Sequence, residues 1–232
     1  LGDPMPISAY HNLGIRDLLS KLDDILGDPI DAEDVAGQIR LAIVGRPNVG
    51  KSMLVNSIVG NERSIVSDTP GTTRDAIDVS FSYDETNITL VDTAGVRRRG
   101  RIDAGIEKYS VLRSMRNIGS SDVCILVTDV SELVTSQDTH IAGYILDSFK
   151  GVIVVINKWD LAEHNLDKET LIQQVKSRLK FIPYAPICFT SALQGTGVQN
   201  VVETAITVYN EGKKLTPRGE LERTLQNALS LH

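Results

Sequence analysis

Excess positive charge, a cysteine framework and long apolar runs are all missing from this sequence. Acidic side chains outnumber basic ones, 30 to 24, for a net charge of −6, so the surface as a whole is not built to hold nucleic acid and any RNA contact has to be local. The two cysteines, Cys124 and Cys188, fall in apolar segments that read as buried strands. That placement points to core packing rather than a disulfide or a metal site, and it fits a reducing cytoplasm. No stretch approaches the roughly 18 apolar residues of a membrane span, so no membrane contact is expected, and Leu1-Gly2-Asp3-Pro4 lacks a signal-peptide layout. What is present is a 232-residue chain with 41% hydrophobic residues, enough for a packed core in one large or two small domains.

The chain is organised around Gly45-Arg46-Pro47-Asn48-Val49-Gly50-Lys51-Ser52, which fits G-x-x-x-x-G-K-[ST]. In that pattern backbone N–H groups cradle nucleotide phosphates, the lysine reaches the outer phosphates and the hydroxyl serves Mg²⁺. The apolar run Leu41-Ala42-Ile43-Val44 before it suits a buried parallel strand, and Met53 to Val59 after it continues as a helix. Three later segments close strands of their own: Asp92-Thr93-Ala94-Gly95, Asn157-Lys158-Trp159-Asp160 and Ser191-Ala192. Their order and contexts resemble the G motifs of the small GTP-binding proteins.

Strands alternate with helices along most of the chain. Ala76 to Tyr83 and Ile88 to Asp92 read as an antiparallel pair joined through Asp84-Glu85-Thr86-Asn87. Next come a helix from about Ala104 to Asn117, a strand Val123 to Val127, and a helix with Ile141, Ile145 and Phe149 on one face. The strand Gly151 to Ile156 follows, then a helix capped by Asp167, the strand Ala185 to Phe189 and a helix through Val198 to Tyr209. The expected fold is α/β: a doubly wound, mostly parallel sheet of the P-loop type with one antiparallel strand, its ligand at the carboxyl ends of the strands.

An internal repeat frames this unit. Ser8-Ala9, Gly14 and the apolar positions Ile15 to Leu26 return as Ser191-Ala192, Gly197 and Val198 to Tyr209 at a constant offset. Residues 1–27 therefore read as the end of a first domain like the central one. Residues 28–38, acidic and broken by Pro29 and Gly37, read as a linker. The central domain covers 39–211, and 212–232, with a helix from Arg218 to Leu231, reads as the start of another domain.

Phosphoryl transfer needs charge neutralised and a water held in line more than it needs a covalent catalyst. The phosphate contacts run over Gly45, Asn48, Val49, Gly50, Lys51, Ser52 and Met53. Ser52 and Asp92 would hold Mg²⁺. Thr73, or failing that Thr72, would close over metal and γ-phosphate from the hydroxyl-rich loop at 63–75, and the Gly95 N–H would sense the γ-phosphate. Base choice rests on Asp160, whose carboxylate can accept from both N1–H and the 2-amino group of guanine; adenine offers no such donor pair, so GTP and GDP are favoured over ATP. Asn157 would brace the loop, the stem of Lys158 would lie over the base, and N–H groups near Ser191 and Ala192 would face guanine O6.

The G-R-P-N-V-G-K-S loop, Pro70-Gly71-Thr72-Thr73-Arg74-Asp75, Asp92-Thr93-Ala94-Gly95, Glu107-Lys108-Tyr109-Ser110 and Asn157-Lys158-Trp159-Asp160 together resemble the second G domain of the Der (EngA) family, bacterial tandem-G-domain GTPases of large (50S) ribosomal subunit assembly. The resemblance covers about Gln38 to Tyr209. It implies GTP hydrolysis, contact with ribosomal RNA or the 50S subunit, a preceding G domain whose closing part, residues 1–27, carries Ser8-Ala9, and a KH-like domain beginning near Leu215. It also implies K⁺ stimulation. Val96 stands where many GTPases carry a water-orienting glutamine, and Asn48 matches the asparagine that ligates a monovalent cation in K⁺-activated relatives. Two rivals are a tRNA-modification GTPase of the MnmE kind, which shares Gly71-Thr72-Thr73-Arg74-Asp75, and a nucleotide-gated RNA-binding module with negligible turnover, built on Arg97-Arg98-Arg99-Gly100-Arg101.

Overall fold

The structure is a computed structural model that describes residues 5–8, 14, 21, 38–61, 78–93, 114–162 and 167–230. It divides into two compact units, Leu1–Gln38 and Ile39–His232. The larger unit is built on a six-stranded sheet: β1 (Gln38–Val44), β2 (Val79–Tyr83), β3 (Thr86–Leu90), β4 (Val123–Asp129), β5 (Gly151–Asn157) and β6 (Ile187–Phe189). The spatial order is β2-β3-β1-β4-β5-β6. β1–β4, β4–β5 and β5–β6 pair in parallel, and β2–β3 is the antiparallel pair. This is the expected doubly wound sheet, with Gln38, assigned from sequence to the linker, opening β1.

The helices are α1 (Lys51–Asn61), α2 (Ser136–Asp147), α3 (Lys168–Arg178), α4 (Val198–Gly212) and α5 (Arg218–Ser230), with a further helical stretch at 114–119. The all-apolar central strands feed two cores at once because successive side chains point to opposite faces. Along β4, Val123, Ile125 and Val127 join Leu54, Ile58, Val201 and Ala205 of α1 and α4. Cys124 and Leu126 of the same strand join Ile141 and Ile145 of α2 and Leu171 and Val175 of α3. Both cysteines are free and buried, as their apolar surroundings suggest. Ile125 is fully buried between its neighbours; truncation to Ala there costs about 3 to 4 kcal/mol, the lost transfer energy plus a cavity.

Helix ends follow their caps. Thr135 and Asp138 form a reciprocal capping box at the start of α2, and the Asp167 carboxylate accepts from the N–H groups of Glu169 and Thr170 at the start of α3. Hydrogen bonds from Thr170 N–H, the Thr170 hydroxyl and Glu169 N–H hold the Asp167 carboxyl below its usual range.

Several local expectations are corrected. The hairpin turn is the two residues Asp84 and Glu85, both at positive φ (41° and 65°), so β3 starts two residues early, at Thr86. Two-residue turns of this hand match the twist of the flanking strands. Phe149 does not extend the buried face of α2: the helix stops at Asp147, and Phe149 stands at φ +54° with 95% of its surface exposed. Leu221, Leu225 and Leu229 form an exposed stripe on α5.

The repeat has a physical counterpart in each unit taken alone. Gly14 (φ +71°) and Gly197 (φ +73°) occupy the same left-handed conformation, and a Cβ would lie 2.5 Å from the Pro6 carbonyl in one case and 2.2 Å from the Phe189 carbonyl in the other. Pro6 and Phe189 are related by the same offset as the glycines. Ser8 and Ser191 each sit in an isolated β-bridge.

Candidate nucleotide-binding site

The phosphate loop leaves β1 at Val44 and enters α1 at Lys51. Its shape is set by backbone more than by side chains. Gly45 (φ +143°) and Gly50 (φ +94°) approach so closely that an added Cβ would meet the Val127 carbonyl at 2.4 Å and Asn157 Nδ2 at 2.2 Å; neither position accepts a side chain. Asn48 holds φ +65°, a conformation asparagine tolerates better than most residues. Val49 is buried, anchoring the loop, whereas Asn48 and Met53 are exposed. Lys51 Nζ donates to the carbonyls of Gly45 at 2.7 Å and Arg46 at 2.5 Å, holding its ammonium over the loop. The first N–H groups of α1 and the loop N–H groups together make an anion cradle at a helix N-terminus.

Across the sheet edge, Asn157 ends β5 and is 1% exposed. Its Nδ2 donates to the Val49 carbonyl at 2.8 Å, while its Oδ1 accepts from Thr190 Oγ1 at 3.1 Å and the Ala192 N–H at 3.0 Å. One amide thus joins the phosphate loop to the two loops on the base side. Lys158 takes the left-handed conformation, φ +63°, which turns the chain so that Asp160 faces the Ser191 loop. The Ser191 hydroxyl donates a short hydrogen bond to Asp160 Oδ1 and also accepts from the Gln194 N–H at 3.2 Å. Trp159 packs edge-on against Phe189, ring centroids 4.8 Å apart, with Lys168 Nζ 5.4 Å and 5.2 Å from the two rings.

Asp92 is 8% exposed at φ +50°, and its N–H donates to Asp78 Oδ1 at 2.8 Å. Of the site residues named from sequence, Gly45, Asn48 to Met53, Asp92, Asn157, Lys158, Asp160, Ser191 and Ala192 have described positions, and hydrogen bonds link the phosphate loop to the base-side loops as stated. Thr72, Thr73, Gly95, Val96 and Arg97 to Arg101 lie outside the described residues.

Three contributors carried no local signal. Thr190 serves Asn157; Asp129 pairs with Lys158, Nζ to Oδ2 at 2.5 Å; Arg46 reaches across to Glu132 and Asp138. Asp129 stands in register with Asn157 in the parallel β4–β5 pair, so knowing the strand neighbours would have placed it at the site. Burial pushes its carboxyl up, but hydrogen bonds from Lys158 and from the Ser131 side chain and N–H outweigh burial, leaving the carboxyl below its usual range.

The residues present fit a guanine nucleotide with a divalent ion: glycines leave room for backbone to approach phosphate, Ser52 and Asp92 offer oxygens suited to Mg²⁺, and the Asp160 carboxylate is held by a single partner loop. Residues 40–158 match the family model described as 50S ribosome-binding GTPase. The chain belongs to that family. It is similar to GTPase Der of Chloroflexus aggregans, 47% identical over 232 residues, 99% of this chain and 51% of the relative. It is likewise similar to GTPase Der of Chloroflexus aurantiacus strain J-10-fl, 50% identical over 204 residues, 88% of this chain and 45% of the relative. The chain thus spans about half the length of these curated relatives. Among solved structures, Era bound to MgGDPNP and nucleotides 1506–1542 of 16S ribosomal RNA superposes with TM-score 0.56 at 29% identity, covering 78% of this chain and 60% of Era. The Der resemblance and the P-loop GTPase fold agree with the site's geometry.

Proposed function

We propose that the chain is the second G domain of a tandem GTPase, hydrolysing GTP to GDP and phosphate as a cytoplasmic switch in 50S subunit assembly. The observation that carries this reading is the Asn157 amide, which ties a phosphate cradle to a carboxylate, Asp160, suited to the two donors of guanine. Lys51, Asn48 and the loop N–H groups bind the phosphates; Ser52, Thr73 and Asp92 hold Mg²⁺; Gly95 reports the γ-phosphate. Mg²⁺ supplies charge neutralisation of the β- and γ-oxygens. Asn48 would hold K⁺, whose charge would compensate for the absence of a polar side chain at Val96. Ribosomal RNA contact is supported by the family description and by Era's capture with an rRNA fragment, and Arg97 to Arg101, next to Gly95, is the segment best charged for it. Residues 1–27 close a preceding G domain, and 212–232 open the KH-like domain.

Calorimetric titration with GDP tests the reading directly: one site per chain is expected, guanine strongly preferred over adenine. Turnover in K⁺ should exceed that in Na⁺, and Asn48→Ala should remove the difference. Equal affinity for ADP and GDP would overturn the guanine assignment.

A further inference from the structure

We infer that the segment from Asp129 to Asp138, joining β4 to α2, is a positioning element that holds the two halves of the nucleotide site from outside: Asp138 and Glu132 fix Arg46 of the phosphate loop, and Asp129 fixes Lys158 of the guanine loop. The inference rests on the guanine-nucleotide reading above and assigns residues that lie in none of its motifs.

The phosphate arm starts from a charge that has no business in the interior unless paired. Arg46 is only 14% exposed, and its guanidinium spans two acidic residues. Nη1 makes a short ion pair with the Glu132 carboxylate, Nη2 donates to the Glu132 carbonyl at 2.6 Å, and Nε lies 3.5 Å from Asp138 Oδ2. Asp138 is fully buried, and that same oxygen accepts from Thr135 N–H and Oγ1, both at 2.9 Å. The capping carboxylate of α2 is thus also the buried counter-charge of the phosphate loop. Its distance from Nε gives attraction without a hydrogen bond, and Arg46 Nε and Asp138 Oδ1 are left without hydrogen-bond partners among the described residues. The pair is held by charge and by the surrounding packing. Because the Arg46 carbonyl also accepts from Lys51 Nζ, a shift of Arg46 is passed to the lysine that faces the phosphates.

The guanine arm begins where β4 ends. Asp129 Oδ1 is taken by Ser131 N–H at 2.9 Å and Ser131 Oγ at 2.6 Å, leaving Oδ2 for Lys158 Nζ. The backbone of the segment is tied in as well: Val130 N–H donates to the Asn157 carbonyl at 3.0 Å, Glu132 N–H to the Asp129 carbonyl at 3.2 Å, and Arg178 Nη1 of α3 to the Val134 carbonyl at 2.5 Å. With its ammonium held, Lys158 keeps its left-handed backbone and its stem in one place. One short, well-anchored stretch therefore reaches both loops, and each arm ends on a different part of the site.

That division makes the proposal testable by a split between two rates. In the 232-residue chain, Asp129→Asn should raise the GDP dissociation rate about tenfold while single-turnover hydrolysis of bound GTP stays within about twofold. Arg46→Lys keeps the charge but loses the fork; it should slow single-turnover hydrolysis about tenfold, with GDP dissociation within about twofold. Glu132→Ala, at an exposed position, should move hydrolysis in the same direction by less, and it carries the test if Arg46→Lys does not fold. Nucleotide-free melting temperatures complete the set. Rates that move together in every variant, in proportion to a fall in melting temperature, would show a merely structural segment and overturn the inference, as would variants indistinguishable from a parent that binds GDP and hydrolyses GTP. A parent that does neither overturns the proposed function and this inference with it.

Discussion

The two ends of the nucleotide site are built on different principles. The phosphate end is a backbone device: Gly45, Gly50 and the left-handed Asn48 shape a loop whose N–H groups are suited to an anion. The base end is a side-chain device, in which Asn157, Thr190, Asp160 and Ser191 hold one another through hydrogen bonds. A backbone device fails when anything is added to it, and a side-chain device fails when anything is taken away. The two meet at the Asn157 amide, which packs against Gly50 and donates to the Val49 carbonyl.

That contact is where the largest effect is expected. Gly50→Ala forces a Cβ against Asn157 Nδ2 and strains a positive φ; it should disrupt both ends, abolishing measurable GDP binding and lowering unfolding free energy by about 4 kcal/mol. Asn157→Ala removes three hydrogen bonds and leaves the Val49 carbonyl, Thr190 Oγ1 and Ala192 N–H buried without them, so about 3 kcal/mol of stability is expected to go, read from urea midpoints. A loss under about 1 kcal/mol would mean that the two ends are not coupled through this amide.

Asp160→Asn tests the base end alone. It replaces an acceptor by a donor and should shift preference from GTP toward XTP by about 2 to 3 kcal/mol in competition binding, with the fold intact. Thr190→Val removes one hydrogen bond from the same network and should cost about 1 kcal/mol. The smallest effect concerns pH. The folded Asp129 carboxyl titrates below its ordinary value, so its stabilisation is fully present above about pH 4 and is lost as pH falls through the lowered folded value. Urea midpoints between pH 3 and 7 should fall more steeply for the parent than for Asp129→Asn.

The same division explains what could be read without coordinates. Backbone devices leave local marks, because glycine spacing and a hydroxyl after lysine are written in eight consecutive residues; the alternation of strands with helices and the cap at Asp167 follow from similarly short patterns. Asn157 and Asp160 were legible because they share one loop. Asp129, Glu132 and Asp138 were not, since in sequence each is an unremarked charge; the strand register brings Asp129 to the site, and only the folded chain sets Arg46 of the phosphate loop against Glu132 and Asp138. Phe149 misled for a related reason. Apolar spacing continued past Asp147, while the backbone turned left-handed and sent the ring to solvent. Thr73, Gly95 and the arginines at 97–101 lie outside the described residues, and their roles stand on resemblance and chemistry.

Burial of the two cysteines has a practical side for the chemist. Burial drives the Cys124 thiol up to about 11 and also raises that of Cys188, so at neutral pH only about one Cys124 in ten thousand carries the reactive thiolate. The native chain is therefore close to inert toward maleimides while folded. A single cysteine placed at Leu193, which is 68% exposed and two residues beyond Ser191, would take a fluorophore on its own and report on the base-side loop without any native thiol having to be removed.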